Sequence, residues 1–292
     1  MFYAIFSIIA PVLLIALIGW VYARFRAVDL TALNRLNVEL LSPLLVFTAM
    51  TQRSVAWGDY LPLLLAVTLI TFGGGLAAWL VARRLGLNAA AFAVPQMFTN
   101  TGNMGLPLWL FAFGPTEFPA AVVVFVYLNL LHFTVGVRLF DRKAPLHALL
   151  NVPMVWALLA GLLVQYLHIP MPIWVFKPME MLGSMAIPLM LFALGVRMAQ
   201  FRVTRWRDGL LAGLMCPAIG LALAWLLLRL WPLPAAQAGI LLLYGALPPA
   251  VLNYLFAEQY RQDPELVAAI VVAGTLLSLV FVPLALALGM PH

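Results

Sequence analysis

From residue 3 to residue 288 the sequence alternates apolar stretches of about twenty residues with short charged connections. That alternation constrains the chain more than any single motif. A stretch of this length satisfies its own backbone hydrogen bonds in hydrocarbon only as a helix. Hydropathy, flanking charges and Gly/Pro punctuation place ten such stretches, at about residues 3–22, 35–52, 60–81, 89–113, 117–138, 150–168, 178–197, 209–230, 235–258 and 265–288. With 65% hydrophobic residues, 9% charged residues and a mean hydropathy of +1.05, little chain is left for a soluble domain. The expected architecture is an all-α, multi-pass membrane protein with ten transmembrane helices in one membrane domain. The first stretch has no positive region before it, and Arg24 and Arg26 follow it, so it reads as a retained helix rather than a cleaved signal.

Charge supplies the orientation. Thirteen basic residues, from Arg24 to Arg261, lie in or beside the connections after odd-numbered stretches, whereas Arg53, Lys177 and Arg229 lie on the other side. The positive-inside rule then places the basic side in the cytoplasm and both termini outside. The net charge of +6 is scattered over connections instead of gathered on one aromatic-laced face, which argues against nucleic acid as a partner. Cys216 is the single cysteine, so no disulfide forms within the chain and no Cys-based metal site exists.

The two halves resemble one another. Pro11 and Gly19 recur as Pro153 and Gly161, and Pro107 recurs as Pro249, each 142 residues on; Pro43 recurs as Pro188 after 145. Residues 1–142 and 143–292 are therefore expected to be two five-helix repeats. An odd number of helices per repeat forces the second to enter the membrane inverted, the arrangement characteristic of secondary transporters.

Two stretches contradict a simple spanning helix. "FTNTGNMGLPLW", Phe98 to Trp109, places Gly102, Gly105 and Pro107 among Asn100, Thr101 and Asn103 near mid-membrane. "YGALPPAVLNYLF" places Gly245, Pro248 and Pro249 in the ninth stretch, with Asn253 one turn beyond. Glycine weakens a helix, and proline removes a donor and clashes with the preceding turn. The fourth and ninth helices should each be two half-helices. Their N-termini offer free N–H groups and positive dipole ends, with Pro107 and Pro249 in the first turns. Meeting near the centre, these ends suit an anion. The expected contacts are Asn100, Thr101, Asn103, Gly105, Pro107, Pro249 and Asn253, with Gly102, Gly245, Pro248 and the two prolines making the breaks.

The segments "NTGNMGLPLWLFAFG", "GALPPAVLNYLFAEQY" and "MAIPLMLFALGVRM", in this order and spacing, resemble the auxin efflux carrier family, which includes bacterial carriers of organic acids such as malonate and malate. The resemblance spans the chain and implies a fold like that of the bile acid–sodium symporters. Helices 1, 2, 6 and 7 would form a scaffold, and crossed, broken helices 4 and 9 a moving transport part. It carries the crossing prolines onto Pro107 and Pro249 and the polar binding residues onto Asn103 and Asn253. It implies transport of small organic anions, carboxylates or auxin-like acids, by alternating access in a bacterial inner membrane. The long insertion of plant members between helices 5 and 6 is absent, and regulatory phosphorylation there is not expected.

For ion coupling the candidates are His132, fifteen residues into the fifth stretch, and Glu39 and Glu258, near helix ends. Proton or sodium coupling both stay open, and no cofactor or metal is expected. Tyr127, Tyr244 and Tyr254 are candidates to line the route, and no deep arginine is evident to hold a second carboxylate. HExxH, GxSxG and Walker motifs are missing, which speaks against an enzyme. The alternatives are a sodium-coupled symporter of larger organic anions and a non-transporting sensor or channel module. Beyond the substrate, lipid and a second copy in a homodimer are the partners considered.

Overall fold

The computed structural model describes residues 2–51, 57–144, 152–201 and 203–290. Arg53 and Arg202 of the charge count, residue 52 of the second stretch and residues 150–151 of the sixth lie outside the described residues. Among the described residues the structure is helical, with a single isolated β-bridge and no strand. Six helical runs are long and apolar enough to cross a bilayer, and Pro153–Tyr166 and Ala235–Ala246 are shorter apolar helices.

The first half comprises α1 (Phe2–Phe25), α2 (Leu30–Leu36), α3 (Ser42–Thr51), α4 (Trp57–Leu85), α5 (Ala89–Met97), α6 (Leu106–Leu131) and α7 (Val137–Phe140). Wider π turns at Asn37–Leu41, Thr101–Gly105 and His132–Gly136 join α2 to α3, lead into α6 and join α6 to α7. The second half holds α8 (Pro153–Tyr166), α9 (Ile173–Ser184), α10 (Ala186–Gln200), α11 (Trp206–Leu230), α12 (Ala235–Ala246), α13 (Val251–Gln259) and α14 (Pro264–Gly289). Polar side chains cap the starts of α2 and α5. Asp29 accepts from Thr31 N at 2.8 Å, and Asn88 accepts from Ala90 N and Ala91 N at 3.1 Å each. Inside α6, Gly114 takes φ 76°, turning the chain between the fourth and fifth stretches.

These helices are apolar on nearly every face, so amphipathicity does not decide which face is buried. Small residues decide it. α1 lies along α10, where Gly19 backs onto the Phe192 main chain and Gly195 onto the Ala16 carbonyl. α8 lies along α3 in the same manner, with Gly161 against the Phe47 carbonyl and Met50. Close backbone approach is how membrane helices gain packing where lipid supplies no hydrophobic drive. The opposite face of α1 presents Phe2, Phe6, Leu14, Leu17 and Ile18 outward, as lipid contact requires. The second part of α6 and the first half of α14 are buried, forming the middle of the molecule.

Arginines stack on tryptophans one turn back at three helix ends: Arg24 on Trp20, Arg83 on Trp79 and Arg229 on Trp225. Trp and Arg at helix ends suit the headgroup layer, where each pair keeps an apolar body in lipid and a charge in water.

Candidate functional site: the crossing of two broken helices

α5 ends at Met97 and α12 at Ala246, and the links that follow run antiparallel past each other. Asn100 N donates to Pro248 O at 2.7 Å, and Ala250 N donates to Phe98 O at 3.0 Å. Each break thus satisfies backbone groups freed by the other, as chain interrupted in a membrane requires. Thr99 and Pro249 stand opposite one another in this bridge.

The first break falls earlier than the glycines and proline suggest. It occupies Phe98 to Asn100, because Asn100 caps the next turn: its Oδ1 accepts from Asn103 N at 3.2 Å. Gly102 and Gly105 lie in the π turn that follows, and Pro107 is the second residue of α6. The half-helix N-terminus is therefore at Thr101, not at Pro107. In the second break, Pro248 and Pro249 lie in the link itself, and α13 starts at Val251. Gly245 belongs to the last turn of α12, where a Cβ would strike the Gly220 backbone of α11.

A cavity of about 220 Å³ lies beside the crossing. Both half-helix starts face it, through Asn100, Thr101, Gly102 and Asn103 on one side and Ala250, Val251 and Leu252 on the other. Gly102, Val251 and Leu252 sit in first turns, and their N–H groups have no acceptor among the described residues. The rest of the wall includes Asn34, Asn37, Phe125, Asn129, His132, Met190 and Arg197. Asn37, Asn100 and His132 are all more than nine-tenths buried.

Asn37 Oδ1 and Asn100 Nδ2 are buried polar atoms with no hydrogen-bond partner among the described residues. The Asn100 amide orientation is fixed by chemistry, because its oxygen must be the atom that accepts from an N–H; its Nδ2 is left as a spare donor. Buried polar groups without partners are costly, and here they line a space that a polar ligand can fill.

Asn253 was expected to touch the ligand, yet it does not line the cavity and is fully buried. Its Nδ2 donates to Phe98 O at 2.8 Å and Ala250 O at 2.9 Å, stitching the two links together. His132 stacks on Phe98 with ring centroids 4.2 Å apart and meets the edge of Phe256 at 5.1 Å. His132 Nε2 and Asn253 Oδ1 are both buried with no hydrogen-bond partner among the described residues.

Of the other expected site residues, Gly105, Pro107, Gly245, Pro248 and Pro249 do not line the cavity. Glu39 is exposed and pairs with Arg35 at 3.1 Å; Glu258 is exposed and accepts from Tyr254 Oη at 3.1 Å. Neither lines the cavity. Tyr127 bonds Thr68 and Tyr244 bonds Thr71, both at 2.6 Å, as helix-packing contacts. Asn34, Asn37, Asn129 and Arg197 lie in the wall without having been singled out. Asn34 and Asn37 sit one turn apart, a polar stripe that the glutamate beside them obscured. Arg197 was counted as a connection charge because it ends an apolar run.

Among the described residues no cluster of His, Cys, Asp or Glu could hold a metal. Long apolar helices, two of them broken and stitched at a polar cavity, define a multi-pass membrane transport protein. The model of the family described as "Membrane transport protein" matches residues 4–149 and 135–286, and the chain belongs to that family, the auxin efflux carriers. It is 24% identical to an "Uncharacterized transporter" of Methanothermobacter thermautotrophicus over 94% of this chain and 95% of that protein. It is 26% identical to a "Putative malonate transporter" of Rhizobium meliloti over 84% of this chain and 82% of that one. The protein is a transporter and not an enzyme.

Proposed function

We propose that the protein is a secondary carrier of small organic anions, carboxylates of the malonate and malate kind, working by alternating access. One observation carries this reading: two half-helix N-termini converge on one cavity, with unpaired N–H groups at Gly102, Val251 and Leu252 and a spare amide donor at Asn100. Such an array is electropositive without a permanent charge at the crossing, and it complements a carboxylate. Asn103 and Thr101 complete the polar side of this site. The name of the Rhizobium meliloti relative agrees with an organic-acid substrate.

Ten crossings as two inverted repeats is the architecture that fits these contacts. The packing of Gly19 on Phe192 has its counterpart in Gly161 on Phe47, which is the exchange expected if residue i in one half stands for residue i+142 or i+145 in the other. The bridge is reciprocal too: Asn100 to Pro248 mirrors Ala250 to Phe98, with partners 150 apart. Gly74, Trp79 and Arg83 of α4 recur at equal spacing as Gly220, Trp225 and Arg229 of α11. On this reading residues 1–142 and 143–292 are the repeats. The α1–α10 and α3–α8 pairs are the scaffold, and the helices around the crossing move against it.

The cavity reaches from the crossing to Leu30 at the start of α2 and Arg197 in the last turn of α10, on the basic side of the chain. With that side in the cytoplasm of a bacterial cell, this is an inward-facing arrangement with both termini periplasmic. Among the described residues no Asp or Glu lines the cavity, which favours protons over sodium as the coupling ion, and His132 is the group placed to carry one.

The test is uptake of labelled malonate, malate and indole-3-acetate into proteoliposomes under imposed proton or sodium gradients, for wild type and Asn103→Ala. Saturable uptake of one acid, lost in the variant, is the expected result. Flux that does not saturate would indicate a channel, and no flux from folded protein would remove the carboxylate reading. A His132→Gln carrier with an unchanged pH profile would eliminate proton coupling through His132.

A further inference from the structure

Among the described residues Arg197 is the one permanent cation in the cavity wall. It is half-buried, and its side chain forms no ion pair or hydrogen bond with any described residue. The groups that face it from α13 are Tyr254 and Glu258, and these bond each other at 3.1 Å instead of Arg197. A guanidinium withdrawn from water without a hydrogen-bonded partner is costly, and five directed donors suit a carboxylate better than any other small ligand group.

Its position relative to the crossing is set by α10. Met190, Ala193, Leu194 and Arg197 form one wall of the cavity at helical spacing. Met190 marks the depth of the crossing, since a Cβ on Gly102 would lie 3.8 Å from its Sδ. Arg197 stands seven residues further, two turns or about 10 Å. Side chains on a helix lean toward its N-terminus, which here is the direction of Met190 and the crossing. The guanidinium and the half-helix N-termini thus face one space from opposite ends.

Resting on the carboxylate-carrier reading above, we propose that Arg197 is a second anion subsite, so that the carrier selects dicarboxylates. One carboxylate docks on the Gly102 and Val251 N–H groups and Asn100 Nδ2. The other pairs with the Arg197 guanidinium. A monocarboxylate of equal length fills the first subsite and leaves Arg197 unpaired.

The experiment measures kcat/KM in proteoliposomes for two matched pairs, malonate with propionate and succinate with butyrate, using the full chain as wild type, Arg197→Gln and Arg197→Lys. Wild type is expected to prefer the dicarboxylate of at least one pair, and Arg197→Gln to reduce that preference about tenfold or more, mainly through KM. Arg197→Lys, which keeps the charge and loses the fork, should fall between them. Thermal unfolding in detergent without substrate identifies folded variants. If Arg197→Gln is misfolded, Arg197→Lys decides alone: a wild-type preference in it overturns the subsite. A wild type that moves these acids without preferring dicarboxylates, or a folded Arg197→Gln with unchanged preference, also overturns it and leaves the carrier reading standing. A wild type that moves none of the four acids overturns this inference, and if malate and indole-3-acetate are not moved either, the carboxylate reading falls with it.

Discussion

The two breaks meet in one bridge but are built differently. The first is polar: Asn100 caps its own turn, and Thr99, Thr101 and Asn103 surround it. The second is stiff: Pro248 and Pro249 fix the link, α13 has no side-chain cap, and Asn253 ties the link to Phe98. The difference separates tasks that look alike in sequence. Capping amides leave a spare donor for a ligand, whereas prolines cannot bond one and serve to hold the backbone where its N–H groups face the cavity.

The largest effect expected from this division falls on Asn253. Asn253→Leu removes the stitches to Phe98 O and Ala250 O in a fully buried place and should cost about 2–3 kcal/mol, seen as a lower unfolding midpoint in detergent. An Asn253→Leu protein as stable as wild type would move this residue from fold to ligand. Next comes the packing behind each break. A Cβ on Gly220 would strike the Gly245 carbonyl, whereas one on Gly74 would rest 3.4 Å from Gln96 O. Gly220→Ala should destabilise by about 1–3 kcal/mol and Gly74→Ala by much less, so equal effects would erase the asymmetry. The smallest effect belongs to Glu39, which sits outside both breaks in an exposed pair with Arg35. Glu39→Gln should change stability by less than about 1 kcal/mol and leave transport rates as in wild type.

Much of this was legible in the sequence, for physical reasons. Stretch length reports on the bilayer, and Gly/Pro punctuation located both interrupted helices. The place of the first break was misjudged by several residues, because Pro107 is tolerated in the first turn of α6 and the capping of Asn103 by Asn100 is a tertiary choice. Gly74, Trp79 and Arg83 recurring as Gly220, Trp225 and Arg229 support the proposed repeat at a single spacing. Asn253 lies next to the cavity residue Leu252, and only the hydrogen bonds of its amide separate a stitch from a ligand contact. Arg197 looked like a connection charge because hydropathy cannot tell which side of a helix end faces a cavity.

The anion site proposed at the polar break is tested most directly by counterflow of labelled malonate in proteoliposomes with Asn100→Ser. Serine caps a helix about as well as asparagine, so stability should stay within about 0.5 kcal/mol of wild type while the amide donor disappears. The expected result is saturable counterflow in wild type and a KM raised about tenfold in Asn100→Ser. An unchanged KM in a folded Asn100→Ser protein would contradict the placement of the substrate at this crossing.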